Sequence, residues 1–355
     1  MAENGPIEQI AKIVSSKIFE RFKWTMSGPC DQDFLCIDEE SHKPADKKKA
    51  HKHPVDVVFS YKDPYLNKTI HLNTDLKSYA KGSISPDMIE TALTSLGNTI
   101  SCAKHSSDWR DKYNICVGDS EVRGLLFVFN HDNDFDHNFY DFFDPPKPSG
   151  NRRKPKAVKL DNIPVSEGQQ IHIVEPKTIN YMMSIIADMN ELITEGAFPR
   201  NNKYGFFYPQ LTYHKVLVTD DYLPATVESI TSPFLIIKHD AVIEWDRETE
   251  RDKELYPAGY IVYYNRPGSS DMEFYYLFDM LTNYQILNGK NKIRIRIATK
   301  DRSDLIRSHF NRALEKYAFD WKYDESAKQN LLSMEFHLVP TVKEFYSSEV
   351  ISWDY

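Results

Sequence analysis

The chain has 355 residues, of which 41% are apolar, and a formal net charge of −8 at pH 7. This length predicts one large domain or two domains of typical size, and the apolar content is sufficient for hydrophobic cores. No apolar stretch approaches the length of a membrane span, and the N-terminus lacks the basic and apolar regions of a signal peptide. We therefore expect no membrane association.

The cysteines are too sparse for the disulfide framework of a secreted scaffold, and they lack the spacing of zinc-binding pairs. They stand at Cys30, Cys36, Cys102 and Cys116. Cysteine usage therefore predicts a reduced, cytoplasmic protein and gives no sign of a zinc site.

The first predicted elements are a helix and three strands. An apolar stripe at helical spacing runs from Pro6 to Lys23, and Asp33–Ile37 is a plausible first strand. Val55–Tyr61 is predicted as the second strand and Ile70–Tyr79 as the third. The polar segment between the last two has the composition of a turn, so these strands are expected to form an antiparallel hairpin.

A second helix and a fourth strand follow the hairpin. Ser85 and Pro86 predict a helix start, with the serine as N-cap and the proline in the first turn. Apolar residues at helical spacing continue to Ile100, and Gly124–Asn130 is a continuous apolar run typical of a buried strand. The predicted order over residues 6–130 is thus helix, three strands, helix, strand.

The third predicted strand carries the most informative residues of the chain. Its side chains alternate between apolar and polar, which is typical of a half-buried strand. Asp75 and Lys77 fall on the same polar face and project side by side. Asp56 opens the preceding strand, so the hairpin can bring all three side chains together.

This trio favours metal-assisted hydrolysis of a phosphodiester. Two carboxylates can hold Mg²⁺ through hard oxygen ligands and leave several waters on the ion. The ion lowers the pKa of a bound water and neutralises charge on the phosphate. A lysine can orient the attacking water or stabilise the developing negative charge. An oxygen-only ligand set predicts Mg²⁺ or Mn²⁺ as the cofactor and no tightly held zinc.

Asp56, followed by Asp75-x-Lys77 on the next strand, resembles the signature of the PD-(D/E)XK nucleases, the restriction-endonuclease-like superfamily. The core of that superfamily runs helix, three strands, helix, strand, which is the order predicted here. The resemblance implies an α/β fold with an N-terminal αβββαβ core. It also implies that Asp56 and Asp75 bind the metal, with the Leu76 carbonyl as a further ligand, and that Lys77 is catalytic.

Two positions depart from the pattern of the superfamily. Its leading proline would stand at Val55, whereas Pro54 lies one residue earlier. Many members also use an acid from the first helix as a ligand, and Glu20 is the candidate here. Glu20 lies far round the helix from the apolar stripe, so we expect it on the surface.

A less specific interpretation of the trio remains open. An Asp-x-Lys pair on a strand is usually a solvated face with an incidental ion pair. The alternative function is a binding or regulatory subunit that keeps the nuclease fold without its activity. A salt-bridged, occluded pair of Asp75 and Lys77 would favour this alternative.

Basic clusters decide where an acidic protein can contact phosphates, because that contact depends on local charge rather than on the sum. One cluster directly precedes Asp56, and another is predicted on the polar face of a strand in the second half of the chain. The candidates for nucleic-acid contact, with DNA favoured over RNA, are Lys48, Lys49, Lys52, Lys292, Arg294 and Arg296.

The clearest predicted boundary is the proline-rich segment 147–157, which is interpreted as a linker. It divides the chain into a nuclease domain, 1–146, and a second α/β domain, 158–355. The second domain is rich in aromatic residues and shows no catalytic constellation, no recognisable internal repeat and no recognisable family.

The layout of a nuclease domain joined to a further α/β domain resembles that of bacterial antiphage defence effectors. In such effectors the second domain recognises a trigger or a partner subunit. This resemblance implies that the 158–355 domain mediates recognition or oligomerisation, through a partner subunit or as a homo-oligomer.

Overall fold

The structure is a computed structural model that describes residues 13, 15–42, 50–116, 118–147, 155–200, 202–209 and 222–340. The chain divides into two compact units, with the boundary between Ile179 and Asn180. None of the helices in these described ranges is long and apolar enough to cross a membrane.

The first unit contains the predicted helices and strands, with some additions. In chain order its elements are α1 (15–21), β1 (Thr25–Ser27), β2 (Gln32–Leu35), α2 (Glu39–His42), β3 (Lys52–Val55), β4 (Val57–Lys62), β5 (Thr69–Tyr79), α3 (Pro86–Ala103), α4 (Ser107–Tyr113), β6 (Ser120–Asn130) and β7 (Ile171–Val174).

The main sheet of this unit has the strand order β1-β4-β5-β6-β7. β1, β4 and β5 are antiparallel neighbours, whereas β5, β6 and β7 run parallel to one another. Together with α1 and α3, these strands give the αβββαβ order, so the predicted fold class is confirmed. The predicted stripe of the first helix lies partly outside the described residues, but Ile18 and Phe22 are buried as expected.

The predicted first strand at Asp33–Ile37 does not belong to the main sheet. β2 occupies this region and pairs with β3 in a separate two-stranded ribbon. β1 takes the place next to β4 instead, with Thr25 opposite Ser60. The alternation of the sequence identified a strand correctly but could not show which neighbour it pairs with.

α3 begins where its sequence predicts. The Ser85 side chain accepts a hydrogen bond from the Met88 N–H at 3.4 Å, and Pro86 occupies the first turn. The apolar face of α3 packs on β6, where Leu126 and Val128 are fully buried. This packing fixes β6 against β5 and holds the centre of the sheet rigid.

β5 is buried on both faces along most of its length, which differs from the half-buried strand that its alternation predicts. His71 and Asn73 on the polar face are buried, because Trp109 of α4 covers them. The Trp109 Nε1–H donates to Asn73 Oδ1 at 3.1 Å. The polar face opens toward solvent only from Asp75 onward, and this opening defines the position of the candidate site.

The boundary between the units lies later in the chain than the predicted linker at 147–157. β7 pairs with β6, with Gly124 opposite Ile171, so the sheet of the first unit includes residues well beyond the linker. This pairing assigns residues 158–179 to the first unit rather than to the second.

The second unit is also a mixed α/β structure. Its elements are α5 (Pro176–Thr194), which begins just before the boundary, β8 (Tyr204–Phe206), α6 (Val227–Ile230), β9 (Phe234–His239), β10 (Val242–Asp246), β11 (Arg251–Tyr256), β12 (Gly259–Tyr264), α7 (Asp271–Asn283), β13 (Lys292–Ile297), α8 (Ile306–Asp320), α9 (Glu325–Leu332) and β14 (Glu335–Leu338).

The main sheets of the two units have the same topology. In the second unit the order is β8-β9-β12-β13-β14, with β8, β9 and β12 antiparallel and β12, β13 and β14 parallel. A helix precedes the first strand and another separates the third strand from the fourth, as in the first unit. The sequence shows no recognisable repeat, so the likeness of the two units lies in their strand order.

Candidate active site

The structure brings Asp56, Asp75 and Lys77 together at the open end of β5. Asp56 lies between β3 and β4, and its Oδ2 accepts a hydrogen bond from the Leu76 N–H at 2.6 Å. The Lys77 Nζ lies 2.7 Å from Asp75 Oδ1. The hairpin of β4 and β5 thus produces the cluster that the sequence predicts.

The backbone around Asp56 is held from both sides. The Asp56 carbonyl accepts from the Asp31 N–H at 2.9 Å, which ties it to the segment before β2. Val57 stands directly opposite Thr74 in the antiparallel pair of β4 and β5. Asp56 therefore has a fixed direction toward β5 before any ligand binds.

The carboxylates of the site repel one another. Burial first and the negative charge of Asp75 second raise the pKa of Asp56 to about 7, against the lowering effects of the Leu76 N–H and of Lys77. A carboxyl group that prefers to stay protonated beside a second carboxylate indicates a surplus of buried negative charge. This charge set suits a bound cation.

Lys77 remains a cation in this environment. Burial lowers its pKa, but the charges of Asp75 and Asp56 outweigh that effect, and the net shift is upward. The ammonium group is therefore available as a positive charge beside the carboxylates.

The donor atoms of the site fit a hard divalent cation. Asp56 and Asp75 contribute carboxylate oxygens, the ligands that Mg²⁺ and Mn²⁺ prefer. The N–H and C=O of one residue in an extended strand point to the same side. Because the Leu76 N–H points at Asp56, its carbonyl lies on that side too and is suitably placed as the further ligand.

The pair of Asp75 and Lys77 is salt-bridged but not occluded. Their side chains keep 19% and 29% of their surface exposed, respectively. The inactive alternative would be favoured by a pair that is both salt-bridged and occluded. The pair meets the first condition but not the second. Glu20 is exposed on α1, as expected, and the described residues show no contact between it and the trio.

The basic residues near Asp56 are only partly described. Lys48 and Lys49 lie outside the described residues, whereas Lys52 is exposed at the start of β3. β3 leads directly into Asp56, so a phosphate held by Lys52 would lie on the approach to the site.

The assignment of Arg294 and Arg296 to nucleic-acid contact is wrong. Both are on β13 and buried, at 1% and 6% exposure. Arg296 forms an ion pair with Asp188, which is fully buried on α5 and also accepts from the Tyr263 hydroxyl at 2.8 Å. The face of β13 that the sequence predicts to be solvated is covered by this helix.

Arg294 is held equally firmly inside the second unit. It donates to the Ala197 carbonyl at 2.9 Å and lies 2.8 Å from His239 Nε2. Its guanidinium also stacks over the Tyr256 ring. Lys292 keeps a third of its side chain exposed but is paired with Glu335 at 2.7 Å. None of the three is therefore a ready phosphate ligand.

The second unit lacks the carboxylates at the matching positions of its sheet. In the first unit the pair of Val57 and Thr74 is flanked by Asp56 and Asp75. The corresponding last pair of β9 and β12, Phe234 with Tyr264, is flanked instead by Pro233 and Asn265. At these matching positions only the first unit carries the candidate catalytic carboxylates.

Sequence reasoning missed a second group of side chains in the first unit. The ligand atoms of Cys36, His42, His53 and Cys102 all lie within 4.8 Å of one another. Burial, and then the neighbouring His51 and His42, lower the pKa of His53 to about 4, so its ring is neutral at pH 7. The large separation of Cys36 from Cys102 along the chain hid this group, because a zinc pair is recognised by short spacing.

Comparison with known proteins gives one finding. A family model of the GAPS4 protein PD-(D/E)XK nuclease domain matches residues 1–178, which is half of the 355-residue chain. No curated protein and no solved structure gave a match. The matched range coincides with the first unit and contains the trio.

Asp56→Asn is expected to stabilise the metal-free protein in a pH-dependent manner. The folded pKa is about 7, against an ordinary value of 3.8, so the stability that protonation gives is lost as the pH rises between these values. Asparagine removes the buried charge and can still accept from the Leu76 N–H. At pH 8 in EDTA we expect a gain on the order of 2 kcal/mol in the free energy of unfolding.

Chemical denaturation at pH 8 and pH 4 checks this, because the gain should shrink toward zero at the lower pH. Asp119→Asn, at an exposed aspartate, serves as the control and should change little. An equal gain at both pH values would contradict the assignment of a buried charge to Asp56.

Arg296→Gln is expected to destabilise the second unit strongly. It leaves the Asp188 carboxylate buried without its cation, which costs about 3–5 kcal/mol. Lys292→Gln breaks a more exposed pair and should cost less than about 1 kcal/mol. Denaturation of both variants tests the correction, and equal small losses would restore Arg296 as a surface residue.

Proposed function

Because the chain belongs to the family of the GAPS4 protein PD-(D/E)XK nuclease domain, we propose that it is an endonuclease that hydrolyses phosphodiester bonds of DNA and depends on Mg²⁺ or Mn²⁺. The observation that carries this proposal is the convergence of Asp56, Asp75 and Lys77 at the open end of β5. Two carboxylates and an ammonium in one partly exposed cluster provide the groups that this reaction needs.

The residues have separate roles in the proposed reaction. Asp56 and Asp75, with the Leu76 carbonyl, would hold the cation. When bound, the cation supplies a water of lowered pKa and neutralises charge on the phosphate. The Leu76 N–H keeps Asp56 aimed at the site. Lys77 places its ammonium group where the negative charge of the phosphate develops, or orients the attacking water.

The charge distribution supports a substrate that approaches along β3. The net charge of −8 disfavours general attraction of nucleic acid, so local cations must guide the phosphates. Lys52 is exposed on β3, four residues before Asp56, and Lys48 and Lys49 precede it in the sequence. We assign phosphate contact to these three lysines and withdraw it from the basic strand of the second unit.

Asp75→Ala and Lys77→Ala are expected to reduce cleavage at least about a hundredfold, because each removes a charge at the reacting phosphate. Lys77→Arg should fail as well, since a planar guanidinium does not replace a compact ammonium. Plasmid and single-stranded DNA, each with Mg²⁺, Mn²⁺ or EDTA, provide the assay.

Lys62→Ala is the matched control, because Lys62 is an exposed lysine on the neighbouring strand β4. It should cleave like the unchanged protein. Cleavage by the Asp75→Ala or Lys77→Ala variant at the unchanged rate, with thermal unfolding unaffected, would show that the trio is not the site.

A binding or regulatory subunit with an inactive nuclease fold is the second candidate function. The observation that favours it is the 2.7 Å ion pair of Lys77 with Asp75, which neutralises one carboxylate. Such a subunit would bind DNA but cleave it with neither Mg²⁺ nor Mn²⁺. Cleavage that depends on the cation and is lost in the Asp75→Ala variant excludes it.

A role in bacterial antiphage defence, together with a partner subunit or a second copy, completes the proposal. The support for assembly is an apolar patch in the second unit, formed by the exposed Met272 and Trp321 together with the partly buried ring of Tyr275. Lys316 bridges Met272 and Tyr275, and the Tyr317 ring lies between those of Tyr275 and Trp321. Met272 and Trp321 are 54% and 57% exposed, which is typical of side chains that a partner covers.

Trp321→Ala is expected to weaken self-association and lower cleavage per chain, without loss of thermal stability. Trp245→Ala is the matched control, because Trp245 is an equally exposed tryptophan on β10, at 59%. Sedimentation velocity over a range of concentrations, with cleavage assayed in parallel, measures both effects. Equal behaviour of the two variants would remove this patch from the proposed assembly.

A further inference from the structure

Four side chains from separate elements of the first unit converge beside the ribbon of β2 and β3. Cys36 follows β2, His42 ends α2, His53 is on β3 and Cys102 is near the end of α3. Their ligand atoms lie within 4.8 Å of one another. They do not include Asp56 or the other residues of the candidate active site.

The distances among Cys36, His42 and Cys102 are those of a tetrahedral site. The two sulfurs lie 3.7 Å apart, and His42 Nδ1 lies 3.5 Å from Cys36 Sγ and 3.4 Å from Cys102 Sγ. Zn–S bonds of about 2.3 Å and Zn–N bonds of about 2.0 Å place ligand sulfurs about 3.8 Å apart and sulfur and nitrogen about 3.5 Å apart. These three residues thus have the spacing of ligands around one zinc ion, and the His53 ligand atom lies within 4.8 Å of theirs.

His53, the more deeply buried histidine of the group, gives a second reason to expect a metal ion here. It is 2% exposed, and its Nε2 is buried without a hydrogen-bond partner. A buried polar nitrogen without a partner is costly, and native structures satisfy nearly all such groups. A metal bond to this histidine would satisfy it.

We propose that Cys36, His42, His53 and Cys102 bind one Zn²⁺ ion in a structural site. Two thiolates and two imidazoles are a ligand set that selects zinc over Mg²⁺, and four protein ligands leave no open position for catalysis. Both thiols lose their protons on binding, so two protons are released for each ion bound.

A disulfide explains the group less well. Both cysteines are free, and their sulfur atoms stand well beyond the length of a disulfide bond, which is about 2.05 Å. A disulfide would also leave His42 and His53 without a role in the cluster. Its formation is a distinct outcome of the test.

The position of the site explains what the metal stabilises. A two-stranded ribbon and a four-residue helix are marginal structures by themselves. The ion joins both to α3, which packs against the main sheet. β3 ends at Val55 and Asp56 follows directly, so the zinc site anchors the segment that carries a candidate ligand of the active site. This last consequence rests on the proposed function, whereas zinc binding does not.

The first test is the metal content of the full-length protein, purified without chelator. We expect one zinc per chain by mass spectrometry of the metal. Replacement by Co²⁺ should give the visible absorption of a tetrahedral thiolate site. A chelator should lower the midpoint of thermal unfolding, and Zn²⁺ but not Mg²⁺ should restore it. Absence of zinc and of the cobalt spectrum overturns the proposal, as does a mass that shows a disulfide between Cys36 and Cys102.

Variants assign the ligands. Cys102→Ser and His42→Ala should each lose most of the zinc, whereas His42→Cys should retain it, since three cysteines and a histidine also form a zinc site. His42 is half-exposed at the end of α2, so its variants are expected to fold. Zinc binding by His42→Ala and Cys102→Ser at the unchanged level overturns the assignment.

Two controls separate this proposal from the proposed function. Cys116→Ser removes an exposed cysteine outside the group and should retain zinc. Asp75→Ala should also retain zinc, even if it cleaves no DNA. Loss of zinc from Asp75→Ala would place the ion at the active site and overturn the proposal. Zinc retained by a chain that never cleaves DNA would leave the zinc site intact and remove only the proposed nuclease function.

Discussion

The constraint on which the first unit depends is the burial of negative charge where β5 leaves the interior. Asp56 is held by the Leu76 N–H on one side and faces Asp75 on the other, and burial together with this repulsion raises its pKa. A protein built only for stability would place an amide or an apolar side chain there. Retained repulsion at a fixed geometry is typical of a site that is completed by a cation.

The main sheets of the two units have the same topology but differ in where they carry charged side chains. In the second unit Arg296 and Asp188 are buried together, and the flanks of the central strand pair carry Pro233 and Asn265. This ion pair fixes α5 on the sheet of that unit. In the first unit the corresponding positions carry the carboxylates of Asp56 and Asp75, and Lys77 is the one cation of the trio. One sheet architecture thus holds a buried ion pair in one unit and the proposed active site in the other.

Sequence patterns predicted the strands and the α3 cap, because these depend on neighbours along the chain. They also identified the trio, since Asp75 and Lys77 are related by strand periodicity alone. The same periodicity failed at Arg294 and Arg296, because it shows which face of a strand is polar but not what covers that face. The sequence did not reveal the shared topology of the two units either, because that topology depends on which strands pair and not on a pattern of residues along the chain.

The group of Cys36, His42, His53 and Cys102 could not be predicted from residue spacing, because Cys102 is far from the other members in the sequence and the four meet only in the folded chain. If both proposed metals bind, hard oxygen ligands and soft sulfur and nitrogen ligands keep them apart within one unit. Loss of cleavage in a strong chelator is then ambiguous, since zinc removal alone would release β3 and move Asp56. Recovery on adding Mg²⁺ only, with zinc content measured in the same sample, separates the chemical requirement from the structural one.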